Sequence, residues 1–116
     1  MSLVVFGQHG GKAEPKRIEI SAGKTSVTVS GSLSNGQEME YVFSAMKGQM
    51  VTVKNPGHSL FDFRVFNDEF DFETEFDSSP QSTFDLPETG DYLFFVRKKM
   101  IKSARRARFS MVISIR

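Results

Sequence analysis

The chain reads as all-β, an antiparallel β-sandwich or jelly roll of about eight short strands. Three observations carry this. Apolar and polar residues alternate with period 2 in at least six segments, the pattern of a strand with one buried face. Turn signals separate those segments and no helical period of useful length occurs, so no crossover helix is available to a parallel sheet. Twelve Phe and no Trp supply large flat side chains that need no hydrogen-bond partner, as expected where two sheets face each other.

A chain of 116 residues makes one domain with a single core of little margin. Residues 1–16 are Gly-rich and weakly patterned and read as a flexible lead-in; residues 17–116 form the sandwich. Arg17–Ser21 alternates with Ile18 and Ile20 on one side. Thr25–Leu33 alternates again, Val27 and Val29 inward and Thr28 and Ser30 outward, and Gly31 marks a bulge or a close approach. Ser34-Asn35-Gly36 is a turn of the Asn-Gly kind that favours a tight hairpin. Met39–Ala45 and Met50–Val53 are strands around a Lys47-Gly48 turn, the strongest local hairpin in the chain.

Asn55-Pro56-Gly57 ends that pair, and from Leu60 onward Phe61, Phe63 and Val65 alternate with Asp62, Arg64 and Phe66. The acidic stretch Asn67–Asp77 interleaves Phe70, Phe72 and Phe76 and is either a strand or an ordered loop anchored by Phe. Ser82–Leu86 is a short strand. Pro87-Glu88-Thr89-Gly90 is a turn. Asp91–Val96 then puts Tyr92, Phe94 and Val96 on one side and Leu93 and Phe95 on the other, and Phe109, Met111, Ile113 and Ile115 alternate with Ser110, Val112 and Ser114. The predicted core is Tyr41, Phe43, Val51, Val53, Phe63, Tyr92, Phe94 and Ile113.

The net charge of +1 conceals segregation. Residues 62–91 hold ten acids against the single Arg64, whereas residues 97–116 hold eight cations and no acid. Seven of those cations fall in Arg97–Arg108, which reads as the basic tip of a final hairpin, with Lys98 at its rim. Such a field can steer a partner of opposite sign.

Few chemistries find residues here. The absence of Cys excludes disulfides, thiolate catalysis and Cys-ligated zinc. Gly7–Ala13 is one residue short of a phosphate loop before Gly-Lys, and Ala13 replaces the magnesium-holding hydroxyl. His9 and His58 lie in Gly-containing loops without a second His nearby, and no Gly-x-Ser-x-Gly elbow occurs. Asp68, Glu69, Asp71, Glu73, Glu75 and Asp77 supply carboxylates for glycoside hydrolysis or calcium, but no pattern marks out a pair and the Asp-x-Asp-x-Asp-Gly loop is missing. They read as a solvated acidic face. The protein is thus expected to be no enzyme and to carry no cofactor or metal. The apolar run Leu3–Phe6 is too short for a signal peptide or a membrane span, so no membrane insertion is expected and an exported protein would be in mature or trimmed form.

For the basic segment, nucleic acid is disfavoured because the loop holds no aromatic and the chain is nearly neutral. Protein binding suits it better: Arg105 and Arg106 fit an acidic cleft, and Met100, Ile101, Ala104 and Ala107 offer apolar contact.

The residues also carry a resemblance. Val29-Ser30-Gly31, then Tyr41–Ala45 with Met46-Lys47-Gly48-Gln49 and Met50–Val53, then Leu86-Pro87-Glu88-Thr89-Gly90-Asp91-Tyr92 resemble the pre-peptidase C-terminal (PPC) β-sandwich superfamily. Within it, Ala104-Arg105-Arg106 before a last aromatic-led strand is similar to the periplasmic inhibitors of g-type lysozyme. The resemblance covers about residues 17–116. It implies a fold, a periplasmic or secreted location and a g-type lysozyme partner, two arginines four apart on the last loop entering the lysozyme cleft. Arg105 matches the second of these. The first falls on Ile101 without a gap or on Lys102 with one deletion, and lysine neutralises a carboxylate without the two-point contact of guanidinium.

The expected function is inhibition of a g-type lysozyme by occlusion of its cleft, with Lys102, Ser103, Arg105 and Arg106 as the binding residues. The alternative is a non-catalytic module of the same fold that binds a glycan or another protein. Oligomeric state is left open by the sequence.

Overall fold

The computed structural model describes residues 15–20, 24–67 and 69–116, and these are all-β. The described residues form nine strands: β1 Lys16–Arg17, β2 Ser26–Ser34, β3 Glu38–Ala45, β4 Met50–Lys54, β5 Phe61–Asn67, β6 Phe72–Glu73, β7 Gln81–Asp85, β8 Gly90–Lys98 and β9 Arg106–Ile115. They make two sheets, one in the order β1-β3-β8-β5-β6 and one in the order β2-β9-β4-β7. The Gly7–Ala13 stretch, His9, Ser21, Asp68 and nearly all of the expected lead-in lie outside the described residues.

The core lies between the sheets and follows from strand alternation. All eight predicted core residues are buried, with Val51, Val53, Tyr92, Phe94 and Ile113 at 0% exposure. Rings meet at close range: Phe43 stacks on Tyr92 at 5.7 Å, and Phe63 meets Phe94 at 5.8 Å. At about 25 cal/mol per Å² such burial is the main favourable term. The acidic stretch resolves into an ordered edge. Phe72-Glu73 pairs with β5, Phe70 and Phe72 pack their rings on Tyr92, and Asp77 bridges to Phe63.

The pairing differs from the sequence expectation at three turns. Asn35-Gly36, Lys47-Gly48 and the basic segment 99–105 were expected to close hairpins, yet each joins strands of different sheets. β5–β6 is the single connection that stays within a sheet among those described. The Asn35-Gly36 turn shows the reason. A hairpin of the favoured Asn-Gly type needs positive φ at both central residues, but Gly36 has φ 78° and Asn35 is not in the positive region. One positive angle, at the third position, is the type II signature. A turn of that type splays its flanking strands instead of matching their twist, and here β2 and β3 enter different sheets.

One further difference is a parallel pair, β1 with β3, in an otherwise antiparallel fold. No helix makes the crossover. Strand β2, in the opposite sheet, takes that role, so the requirement for a long connection is met without one. Gly31 marks a close approach and no bulge: the β2–β9 register runs unbroken from Ser26 to Ser34, and a Cβ at Gly31 would lie 3.1 Å from the Phe109 ring.

The two turn motifs of the sequence prove to be one joint. Gly48 N donates to Leu86 O at 2.9 Å, Leu86 N to Gln49 O at 2.9 Å, and Lys47 N to Thr89 Oγ1 at 2.9 Å. Tyr92 completes it, its hydroxyl donating to Glu88 O at 2.5 Å and accepting from Glu88 N at 3.1 Å. Leu86 plugs the core beneath at 1% exposure.

Candidate functional site

The basic segment divides into parts with different surroundings. Arg97 faces out of β8 but is engaged. Its guanidinium makes a two-point contact with the largely buried Asp62, at 3.1 and 2.7 Å, and lies 3.6 Å over the Phe76 ring. The hydrogen bond from Arg97 to Asp62 holds the guanidinium pKa above its usual value. Arg108 lies exposed on β9, opposite Ser32.

Lys98 is not a rim cation. The inward series Tyr92, Phe94, Val96 continues by strand parity to Lys98, which is fully buried. Its ammonium donates to Asn35 Oδ1 at 2.7 Å and to Lys99 O at 2.8 Å. Buried ammonium groups are expensive unless hydrogen-bonded, and these bonds explain how it is accommodated.

Those bonds fix the loop 99–105. Asn35 holds it at three points: its N–H donates to Arg105 O at 2.8 Å, its Nδ2 to Ile101 O at 3.0 Å, and its Oδ1 receives Lys98. Gly36 N donates to Lys98 O and Lys98 N to Gln37 O, each at 3.0 Å. On the other flank Lys99 N donates to Leu60 O and Lys99 Nζ to His58 O, each at 2.9 Å. The loop is a strapped arch between sheets.

At its crest, Ala104 N donates to Ile101 O at 3.3 Å and closes a turn that leaves Lys102 and Ser103 exposed. Arg105 follows, also exposed. Arg106 is exposed but belongs to β9, where it lies opposite Ser34 and donates to its Oγ at 3.1 Å. Met100 is 76% exposed, whereas Ala107 turns toward the core and supplies no loop surface. Of the four predicted residues, the structure brings Lys102, Ser103 and Arg105 together on the crest and sets Arg106 at its foot.

Sequence reasoning missed Asn35 and misplaced Lys98. Strand parity alone could have found Lys98, two residues beyond Val96. Nothing local marks Asn35 as a strap, since its partners lie 63 and 66 residues away.

Among the described residues no group of three or more His, Asp or Glu is placed to hold a metal, and no helix is long and apolar enough to cross a membrane.

Two facing sheets with cross-sheet connections, tied by the joint of Lys47–Gln49 with Leu86–Tyr92, make a β-sandwich. The pre-peptidase C-terminal domain of a Bacillus anthracis collagenase has this fold, with TM-score 0.60 and 15% identity, covering 93% of this chain and 100% of that one. More similar is PliG of Aeromonas hydrophila, a periplasmic lysozyme inhibitor of g-type lysozyme: TM-score 0.72, 26% identity, covering 88% of this chain and 96% of that one. PliG of Salmonella Typhimurium, also a periplasmic inhibitor of g-type lysozyme, shares the fold with TM-score 0.73 and 23% identity, covering 90% of this chain and all of that one. No protein-family model and no curated protein sequence matches the chain.

Proposed function

We propose that this protein is a non-catalytic inhibitor of g-type lysozyme, periplasmic or secreted, that acts by setting the 99–105 arch into the lysozyme's cleft. The observation that carries the reading is a cationic crest on a strapped loop, in a chain similar to PliG over nearly its whole length. A pre-ordered loop loses little conformational entropy on docking, so its contacts count toward affinity. Arg105 and Lys102 are the cations presented at the crest, and Arg106 contributes from its foot.

The mechanism is electrostatic and steric. A glycoside hydrolase needs one carboxyl group protonated to donate to the leaving oxygen. A guanidinium held against that group favours its ionised form and so removes the acid, while the loop excludes the glycan. No covalent step is required.

The test is a lytic assay with g-, c- and i-type lysozymes. The wild type is expected to inhibit the g-type enzyme. Arg105→Ala leaves a carboxylate buried without its partner and should weaken inhibition by about 2–5 kcal/mol, or roughly a hundredfold or more at about 1.4 kcal/mol per tenfold. Lys102→Ala should cost less, since an ammonium makes no two-point contact. Arg108→Ala removes an equal charge away from the crest and should act through the association rate alone, an effect that shrinks as salt rises. No inhibition by the wild type, or equal losses at Arg105 and Arg108, would refute the mechanism.

A further inference from the structure

Among the described residues four strands form the edges of the two sheets, and three of them are blunted. β1 has two residues, both cationic, preceded by Pro15; β6 has two, one of them Glu73; β7 has five, ends on Asp85 and lies between Pro80 and Pro87. Shortness, charge and proline are the devices by which edge strands avoid pairing with another chain. β2 has none of these. It runs nine residues, SVTVSGSLS, without a charge or a proline, and β9 is its single ladder partner among the described residues.

We propose that β2 is a self-pairing edge, through which two copies of this chain join by antiparallel β2–β2 pairing about a two-fold axis at Ser30. A two-fold contact requires one patch to complement itself, and this segment does. With Ser30 on the axis, Ser26 faces Ser34 of the second copy, Val27 faces Leu33, Thr28 faces Ser32 and Val29 faces Gly31. The parity is preserved. Val29 and Leu33, buried in each copy, meet residues of the other copy's inward face, and the hydroxyl residues meet one another on the outer face. A slip of one residue would set apolar residues against the hydroxyl face, so the register is specified.

Charge agrees with this. No ionisable side chain lies on β2; Lys24 stands two residues before it, outside the paired span, and Arg106 and Arg108 sit one strand inward beside Ser34 and Ser32. The two-fold puts both arginines across from the charge-free N-terminal half of the other β2, and it puts Lys24 across from Gly36, beyond the paired residues. An unrelated extended peptide would find the same hydrogen-bonding row, but the near-palindrome about Ser30 favours a second copy. In the resulting eight-stranded sheet the two 99–105 arches stand at opposite ends. Eight residues at about 3.4 Å each separate Ser34 from its counterpart by roughly 27 Å, so each crest stays open.

The test is sedimentation equilibrium of the full chain up to about 100 µM, above the micromolar range typical of modest interfaces. The wild type is expected to reach twice its 13.1 kDa chain mass. Ser30→Lys sets two cations face to face on the axis and should weaken the dimer at least tenfold while the thermal midpoint of the dilute protein holds. Thr28→Lys with Ser32→Glu pairs opposite charges across the proposed register and should keep the dimer. Ser110→Lys adds the same charge one strand inward and should leave it intact. A wild type that stays monomeric overturns the proposal, and so does a Ser30→Lys protein that dimerises like the wild type. Equal loss in Ser110→Lys and Ser30→Lys overturns it too, and loss in the Thr28→Lys, Ser32→Glu double variant overturns the register.

Discussion

Replacing Asn35 by Ala should unstrap the arch. The substitution deletes two side-chain hydrogen bonds, one donated to Ile101 O at 3.0 Å and one received from the Lys98 ammonium at 2.7 Å. A neutral bond contributes about 0.5–1.5 kcal/mol and one to a charged group about 1.5–3 kcal/mol. Together they predict a loss of about 2–4.5 kcal/mol, a large part of the 5–15 kcal/mol of an ordinary domain. Most of it arises because Lys98, at 0% exposure, keeps only Lys99 O as a partner. Lys98→Met should therefore behave differently: it removes the ammonium and keeps an apolar chain of similar length, at a cost below about 1 kcal/mol. In the Asn35→Ala background it should stabilise. Urea unfolding of the two single variants and the double variant gives the coupling directly, and amide exchange at Ala104 and Arg105 reports the loop itself. A loss under about 0.5 kcal/mol for Asn35→Ala, or no coupling between the two sites, would show that the strap does not hold the arch.

Two further outcomes follow from the core and from an exposed cluster. Phe94, at 0% exposure between Tyr41 and Phe63, should cost about 3–5 kcal/mol when truncated to Ala, read from the denaturation midpoint; a midpoint that hardly moves would mean the face is not the core. Asp91 is hydrogen-bonded by Arg17 at 2.8 Å and by Ser44 at 2.6 Å, and the Arg17 bond first of all lowers its pKa. A folded pKa below the unfolded one gives stability that is present above the unfolded value of about 3.9 and lost as pH falls through the folded value. Asp91→Asn should thus flatten the stability profile in that acidic window and leave its slope near neutrality unchanged, with a small effect because the pair is exposed.

The strands and the core were legible because both depend on local alternation. Tyr41, Phe43, Phe63, Tyr92 and Phe94 could be assigned to one face by period 2 alone. Pairing was not legible, because a tight turn fixes where the chain reverses and not which sheet receives the next strand. Ser34–Gln37 and Met46–Gln49 are both real turns, with Gln37 N and Gln49 N each donating back three residues at 3.0 Å. Both nevertheless feed the facing layer. What decides is a partner distant in sequence: β3 pairs with β8 in one sheet and β4 with β9 in the other, strands about fifty and sixty residues further on.

The same reasoning redistributes the cations of the basic segment. As a hairpin tip, Arg97–Arg108 would offer seven exposed charges to a partner; as a connection between sheets it cannot, because strand parity at each foot sends alternate residues inward or onto a neighbour. Lys98 goes into the core, Arg97 onto Asp62 and Phe76, Lys99 onto His58 O, and Arg106 onto Ser34. What the crest presents is Lys102 and Arg105, flanking Ser103 and Ala104. In the proposed docking mode, specificity would come from few charges in fixed places, since a field of seven would attract any acidic surface and select none. The buried lysine and the asparagine that receives it are what fix those places.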